Sequence, residues 1–225
     1  KEVVQTVVLG NPHVRLFFII VMVTLLGTQI QDVLLEPFGG LAFGMDVGST
    51  AQLTMFWGLG TLVAMLVSGL FLIKRFGAVR VYRVGLYWVA LMFVAIAASG
   101  LTGNANLLRL LTVGLGLGTG LVAASLLVTM IEFTTEARAG VLLGVWGVAH
   151  LLGRAAASLM GGAIVDVMMS VTVQNAVMSY GTAFVLEAIL LITAASLISR
   201  VDLDAARISI TTIDMAPKLA PVATD

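Results

Sequence analysis

Six uninterrupted apolar runs, each long enough to cross a bilayer as a helix, constrain this chain more than any other feature. They fall at about 12–36, 50–73, 79–99, 105–131, 136–169 and 176–199. Their period excludes barrel strands, which alternate apolar and polar residues over about ten positions. The stretches 16–26, 86–98 and 188–192 are apolar almost without a break. The fold class read from this pattern is all-α, a polytopic membrane bundle of six transmembrane helices. Composition agrees, with 60% hydrophobic and 11% charged residues and a mean hydropathy of +1.09. A soluble domain carries about 25% charged residues.

The ends of several runs carry helix punctuation. Asn11 and Pro12 suit an N-cap and a first helical position, and Pro37 is expected to stop the first helix. Ser49 and Gln52 have the spacing of a capping box ahead of the second. Gly100 and Gly103 follow the third. The fifth run exceeds what a span needs, so tilt, protrusion or a break at Gly161 and Gly162 is expected. Residues 1–200 then form one transmembrane domain, and 201–225, with Pro217 and Pro221, read as a cytoplasmic tail without its own core. The chain starts at Lys1 without a Met, and its first 13 residues lack a signal peptide's apolar core, so it reads as a fragment or processed product.

Charge sets the orientation and removes several function classes. Ten of the twelve basic residues fall on one side: Lys1, Arg15, Lys74, Arg75, Arg80, Arg83, Arg138, Arg200, Arg207 and Lys218. The opposite turns, 37–49, 100–106 and 170–175, hold none, so both termini are expected in the cytoplasm. The net charge is zero, which gives no electrostatic argument for nucleic acid. The absence of cysteine excludes disulfides and thiolate-bound zinc. No Ser-His-Asp set, metal-ligand cluster or phosphate loop is present, and the chain does not read as an enzyme.

Polar residues inside the spans are the candidate functional groups, because an ionisable side chain at mid-bilayer costs at least about 2.5–3.5 kcal/mol unless compensated. Gln29, Asp32 and Glu36 share one face of the first helix, at its non-cytoplasmic end. His150 and Arg154 are one turn apart on the fifth, and Glu187 lies near the middle of the sixth. Arg154 and Glu187 are expected to pair, the alternative being a direct part in ligand binding or proton movement. Gly114, Gly116, Gly118 and Gly120 form two overlapping small-residue pairs suited to close helix packing. Trp57, Trp88 and Trp146 are expected in the interfacial belt, with stacking on a bound ring as the alternative. Glu132, Glu136 and Arg138 read as a solvated, self-paired turn.

Three stretches resemble a known family. Gly69, Lys74, Arg75, Phe76, Gly77 and Arg80 are similar to the basic loop of the major facilitator superfamily, with Ile73 where an acidic residue is usual. Gln29, Gln31, Asp32, Glu36, Pro37, Phe38, Gly39 and Gly40, followed by Phe43, Gly44, Met45 and Gly48, resemble its bacteriochlorophyll-delivery branch, the PucC/LhaA family. Arg138, Ala139, Gly140, Gly144, Trp146, Gly147 and Ala149 agree, with His150 where that family commonly has Gln.

The resemblance implies the C-terminal six-helix half of a major-facilitator-type fold, with an N-terminal half as a missing partner. It implies light-harvesting antenna assembly, bacteriochlorophyll or chlorophyll delivery, or both, in a bacterial inner (intracytoplasmic photosynthetic) membrane. Implied partners are membrane lipid, light-harvesting polypeptides and pigment-synthesis enzymes. Gln29, Asp32, Glu36, His150, Arg154 and Glu187 become candidates for pigment, client or proton. His150 is the candidate ligand for a pigment magnesium, since imidazole is a competent axial donor. Two alternatives remain: a proton-coupled solute transporter, and a structural subunit beside a photosynthetic complex.

Overall fold

A computed structural model describes residues 12–132, 139–172 and 175–199. The described residues form eight α-helices and one π-helical turn, with no strand among them. They are α1 (Pro12–Gln29), α2 (Gln31–Phe43), α3 (Val47–Val67), the π-turn (Ser68–Leu72), α4 (Ile73–Phe76), α5 (Ala78–Ser99), α6 (Ala105–Glu132), α7 (Ala139–Val171) and α8 (Ala176–Ile198). Six stretches among them are long and apolar enough to cross a membrane, and the first of these, Ile19–Phe43, joins α1 to α2.

The first span corrects the expectation that Pro37 ends it. Helix α1 gives way to α2 at Ile30, whose carbonyl accepts from the Val33 N–H at 3.1 Å in a tight local turn. Pro37 sits inside α2. It lacks an N–H, so the Val33 carbonyl loses its regular donor. Packing explains why the helix continues. Phe38 is fully buried, with its ring centroid 5.3 Å from those of Phe43 and Phe184 and 5.9 Å from that of Tyr180. That aromatic cluster anchors α2 against α8 and outweighs one lost hydrogen bond. The helix stops two turns later at Gly44, whose φ of +63° is a conformation glycine adopts without strain.

Helix α3 starts earlier than expected, and its cap is Asp46 rather than Ser49. The Asp46 Oδ2 accepts from the N–H groups of Gly48 and Ser49 at 3.1 and 3.3 Å, while the Ser49 hydroxyl donates to Oδ1 at 2.6 Å. Helices α6 and α8 are capped alike by Asn104 and Asn175. Helix α7 runs unbroken through Gly161 and Gly162.

The glycine run of α6 works on two faces. An added methyl at Gly116 would lie 2.2 Å from the Trp57 carbonyl oxygen, and one at Gly120 2.3 Å from that of Thr61, so these two seat α6 directly on the α3 backbone. Gly114 and Gly118 face α5, against Met92, Trp88 and Val89. Small residues at this spacing allow approach where lipid supplies no hydrophobic driving force. Packing then orders the helices side by side as α3, α6, α5, α8, α1 and α7, with α2 reaching α3, α7 and α8. Helices α3 and α7 expose long apolar faces, for example Leu62, Leu66, Leu151 and Leu159. Alternating chain direction places Arg15, Lys74, Arg75, Arg80 and Arg83 at one end of the bundle. Lys1, Glu136, Arg138, Arg200, Arg207 and Lys218 lie outside the described residues.

Candidate functional site

The continuation of the first span through α2 places its polar stretch within the span rather than at a helix end. The helix runs on to Phe43, so Asp32 and Glu36 stand roughly three and two turns inside that terminus. They open onto a cavity of about 650 Å3. Its walls come from α1 and α2 (Thr28, Gln29, Asp32, Glu36), α3 (Thr54, Trp57), α6 (Val122, Leu126) and α7 (His150, Arg154). Such a volume, apolar walls and a few convergent polar groups characterise small-molecule and side-chain binding sites.

Two polar contacts tie α2 to its neighbours across this cavity. The Thr54 hydroxyl donates to the Glu36 Oε1 at 2.6 Å, linking α2 to α3. The Arg154 Nη2 lies 3.2 Å from the Asp32 Oδ2, linking α2 to α7. This corrects the expected pairing of Arg154 with Glu187. The packing of α2 against α7 and α8 decides which helix Asp32 meets, and depth in consecutive helices does not report it. Glu187 lies behind the wall, 1% exposed, with neither carboxyl oxygen hydrogen-bonded among the described residues. Gln31 separates it from the cavity, and the Gln31 backbone N–H approaches its carboxyl group without hydrogen-bond geometry.

Gln29, Asp32, Glu36, His150 and Arg154 thus meet at one cavity, and Glu187 does not reach it. Lys74, Arg75, Arg80 and Arg83 form a separate exposed group on α4 and the start of α5, with the Arg75 guanidinium carbon 5.5 Å from the Phe76 ring centroid. Two tryptophans make contacts within the bundle. Trp88 donates its indole N–H to the Gly114 carbonyl at 2.8 Å, holding α5 to α6, and Trp57 lines the cavity. The side chains of Trp146 and Glu132 lie outside the described set. Sequence reasoning gave Trp57 only as an alternative ring-stacking residue and did not place Gln31 or Thr54 in a site wall. The i, i+3 spacing of Thr54 and Trp57 was the available signal, but only the α2–α3 contact shows that this face turns inward.

This architecture defines a polytopic helical membrane protein with a cavity in the bundle lined by apolar and polar side chains. The family model described as PUCC protein matches residues 1–205, and the chain belongs to that family. An uncharacterised protein from the puhA–bchM intergenic region of Rhodobacter capsulatus is 36% identical over 66% of this chain and 31% of its own length. Protein PucC of the same organism is 29% identical over 83% of this chain and 41% of its own. A major-facilitator-type transporter of Mycobacterium tuberculosis, itself uncharacterised, is 37% identical over 47% of this chain and 18% of its own length. The chain therefore spans about a third to under half the length of these photosynthetic relatives.

Proposed function

We propose that this chain is the cavity-bearing half of a membrane factor that assists light-harvesting antenna assembly, by handling bacteriochlorophyll or newly inserted antenna polypeptides. Membership of the PUCC protein family carries the reading, and the bundle supplies a place for a client. The cavity has apolar wall at Leu35, Val122 and Leu126, and α3 and α7 carry exposed apolar faces. That geometry suits apolar rings and single apolar helices. The same faces suit a second six-helix unit, in keeping with relatives more than twice as long and with the two-half major-facilitator architecture.

The donor set fits a magnesium tetrapyrrole. His150 supplies an imidazole at the wall, and Leu35, Val122 and Leu126 supply apolar surface for a ring. Such a pigment, when bound, contributes light absorption, while the residues hold and orient it. In this reading the chain performs no covalent chemistry, although one relative carries the name bacteriochlorophyll synthase 44.5 kDa chain. It lies in the bacterial inner (photosynthetic) membrane, with both termini and the Lys74–Arg83 turn cytoplasmic.

Polar-solute transport is less well supported. The wall threonines are already engaged: Thr24 with Tyr82, Thr28 with the Thr24 carbonyl, Thr54 with Glu36, Thr61 with the Trp57 carbonyl and Thr119 with the Gly116 carbonyl.

Filling the cavity tests the proposal. Ala123 lines it, so Ala123→Phe in the full-length protein of a phototroph blocks it without altering charge. Antenna absorbance should fall at unchanged abundance of the protein. Normal antenna absorbance refutes the reading, and the absorption spectrum of the purified protein checks for pigment directly.

A further inference from the structure

We infer that the cavity holds an organic cation, an ammonium or guanidinium group carried on an apolar body, with Glu36 as its counter-ion. The inference rests on the reading of the cavity as the client site and names the chemistry it selects. Two carboxylates, Asp32 and Glu36, line the walls against one guanidinium, Arg154. Arg154 is committed to Asp32. Glu36 has no cationic partner among the described residues; it holds one hydrogen bond, from Thr54 to Oε1. An unpaired charge within a spanning helix is rare because it is costly, so a counter-charge from outside the bundle is the expected complement.

The remaining polar capacity points the same way. The five wall threonines named above are paired within the protein. Gln31 is 1% exposed, contributes to the wall beside Asp32, and its side-chain oxygen meets no donor. This acceptor stands in the same wall as Glu36, where the Trp57 indole N–H is an unpaired donor. Trp57 supplies an aromatic wall, and indole faces attract cations. An apolar body suits the rest of the wall, where Leu35, Val122 and Leu126 line the cavity.

Three probes of one shape test this: tetraphenylphosphonium, neutral tetraphenylsilane and tetraphenylborate, in equilibrium dialysis against the chain in lipid nanodiscs. The phosphonium should be retained at about one per chain, and the neutral and anionic probes should not. Glu36→Gln keeps the side-chain size and an acceptor for Thr54, and it should weaken phosphonium binding by about tenfold or more. Thr54→Val leaves the charge in place and should keep binding, which separates lost charge from a damaged fold. Equal binding of phosphonium by wild type and Glu36→Gln overturns the inference, as does retention of the borate as tightly as the phosphonium.

Competition identifies the source of the cation. Displacement by a leucine-rich single-span peptide with one central lysine, and not by its all-leucine twin, assigns the cation to a client helix. No displacement by either, with Glu36-dependent phosphonium binding intact, assigns it to a small lipophilic cation. These measurements need neither pigment nor antenna polypeptide. Their failure would leave antenna assembly standing, and failure of the Ala123→Phe test would leave the cation site standing.

Discussion

Replacing Gly116 with alanine would put a methyl carbon 2.2 Å from the Trp57 carbonyl oxygen and 3.0 Å from the Thr61 nitrogen. Both partners are backbone, so no side chain can rotate away. Restoring ordinary contact at 3.4 Å requires α3 and α6 to part by about 1.2 Å. That separation also strains the Thr61–Thr119 hydroxyl contact at 2.9 Å and loosens Gly60, now seated on the Val113 carbonyl. Overpacking of this kind costs about 1–3 kcal/mol, and backbone partners argue for the upper half. An interhelical hydrogen bond in a membrane protein adds about 0.6 kcal/mol. Alanine's better helix propensity returns up to about 1 kcal/mol. The net expectation is a loss of about 2 kcal/mol. Gly58 is the control, on the same helix as Gly60 but with open space where a methyl would go. Gly58→Ala should be neutral or stabilising. Reversible unfolding in mixed micelles, followed by helical circular dichroism, measures both. If Gly116→Ala is no less stable than Gly58→Ala, close α3–α6 backbone packing is not what the glycine run provides.

Arg154→Leu and Asp32→Leu should be non-additive in a double-mutant cycle, with a coupling of about 0.5–1 kcal/mol because Arg154 is partly exposed, whereas Arg154→Leu and Glu187→Leu should add. Additivity in the first cycle and coupling in the second would restore the Arg154–Glu187 pairing. Single cysteines at Lys74 and Val47, both exposed, should label from opposite faces of the membrane, Lys74→Cys from the cytoplasm. Labelling of both from one face would refute the up-and-down topology. The Asp46 carboxyl is held below its usual range by the Ser49 hydroxyl, with further help from the Ser49 and Gly48 N–H groups. A lowered folded-state pKa gives stability present above the unfolded value, near pH 4, and lost as pH falls through the folded value. Wild type should therefore lose its advantage over Asp46→Asn on acidification below about pH 4, and a constant difference from pH 7 to pH 3 would exclude the cap as its source.

Much of the fold was legible because the physics is local. A run of about twenty apolar residues must satisfy its backbone internally, which in lipid means a helix. Family membership was legible for a different reason: the stretch from Gln29 to Gly48 carries polar and glycine positions that no generic span requires. The run through Pro37 was not legible. A missing N–H is a local fact, but the burial of Phe38 against Phe184 and Tyr180, which overrides it, is a contact across nearly 150 residues of sequence.

The same division runs through the site. Sequence alone determined that Gln29, Asp32 and Glu36 share a helix face and that His150 and Arg154 share another, because α-helical spacing fixes side-chain direction within a helix. Only the tertiary structure decided which faces meet. Asp32 meets Arg154, Thr54 closes on Glu36, and Glu187 is left behind Gln31. Rotation of one helix about its axis relative to another is set by the packing of all the helices together, here through glycines that let α6 sit on α3 and α5. No spacing within a single helix encodes it.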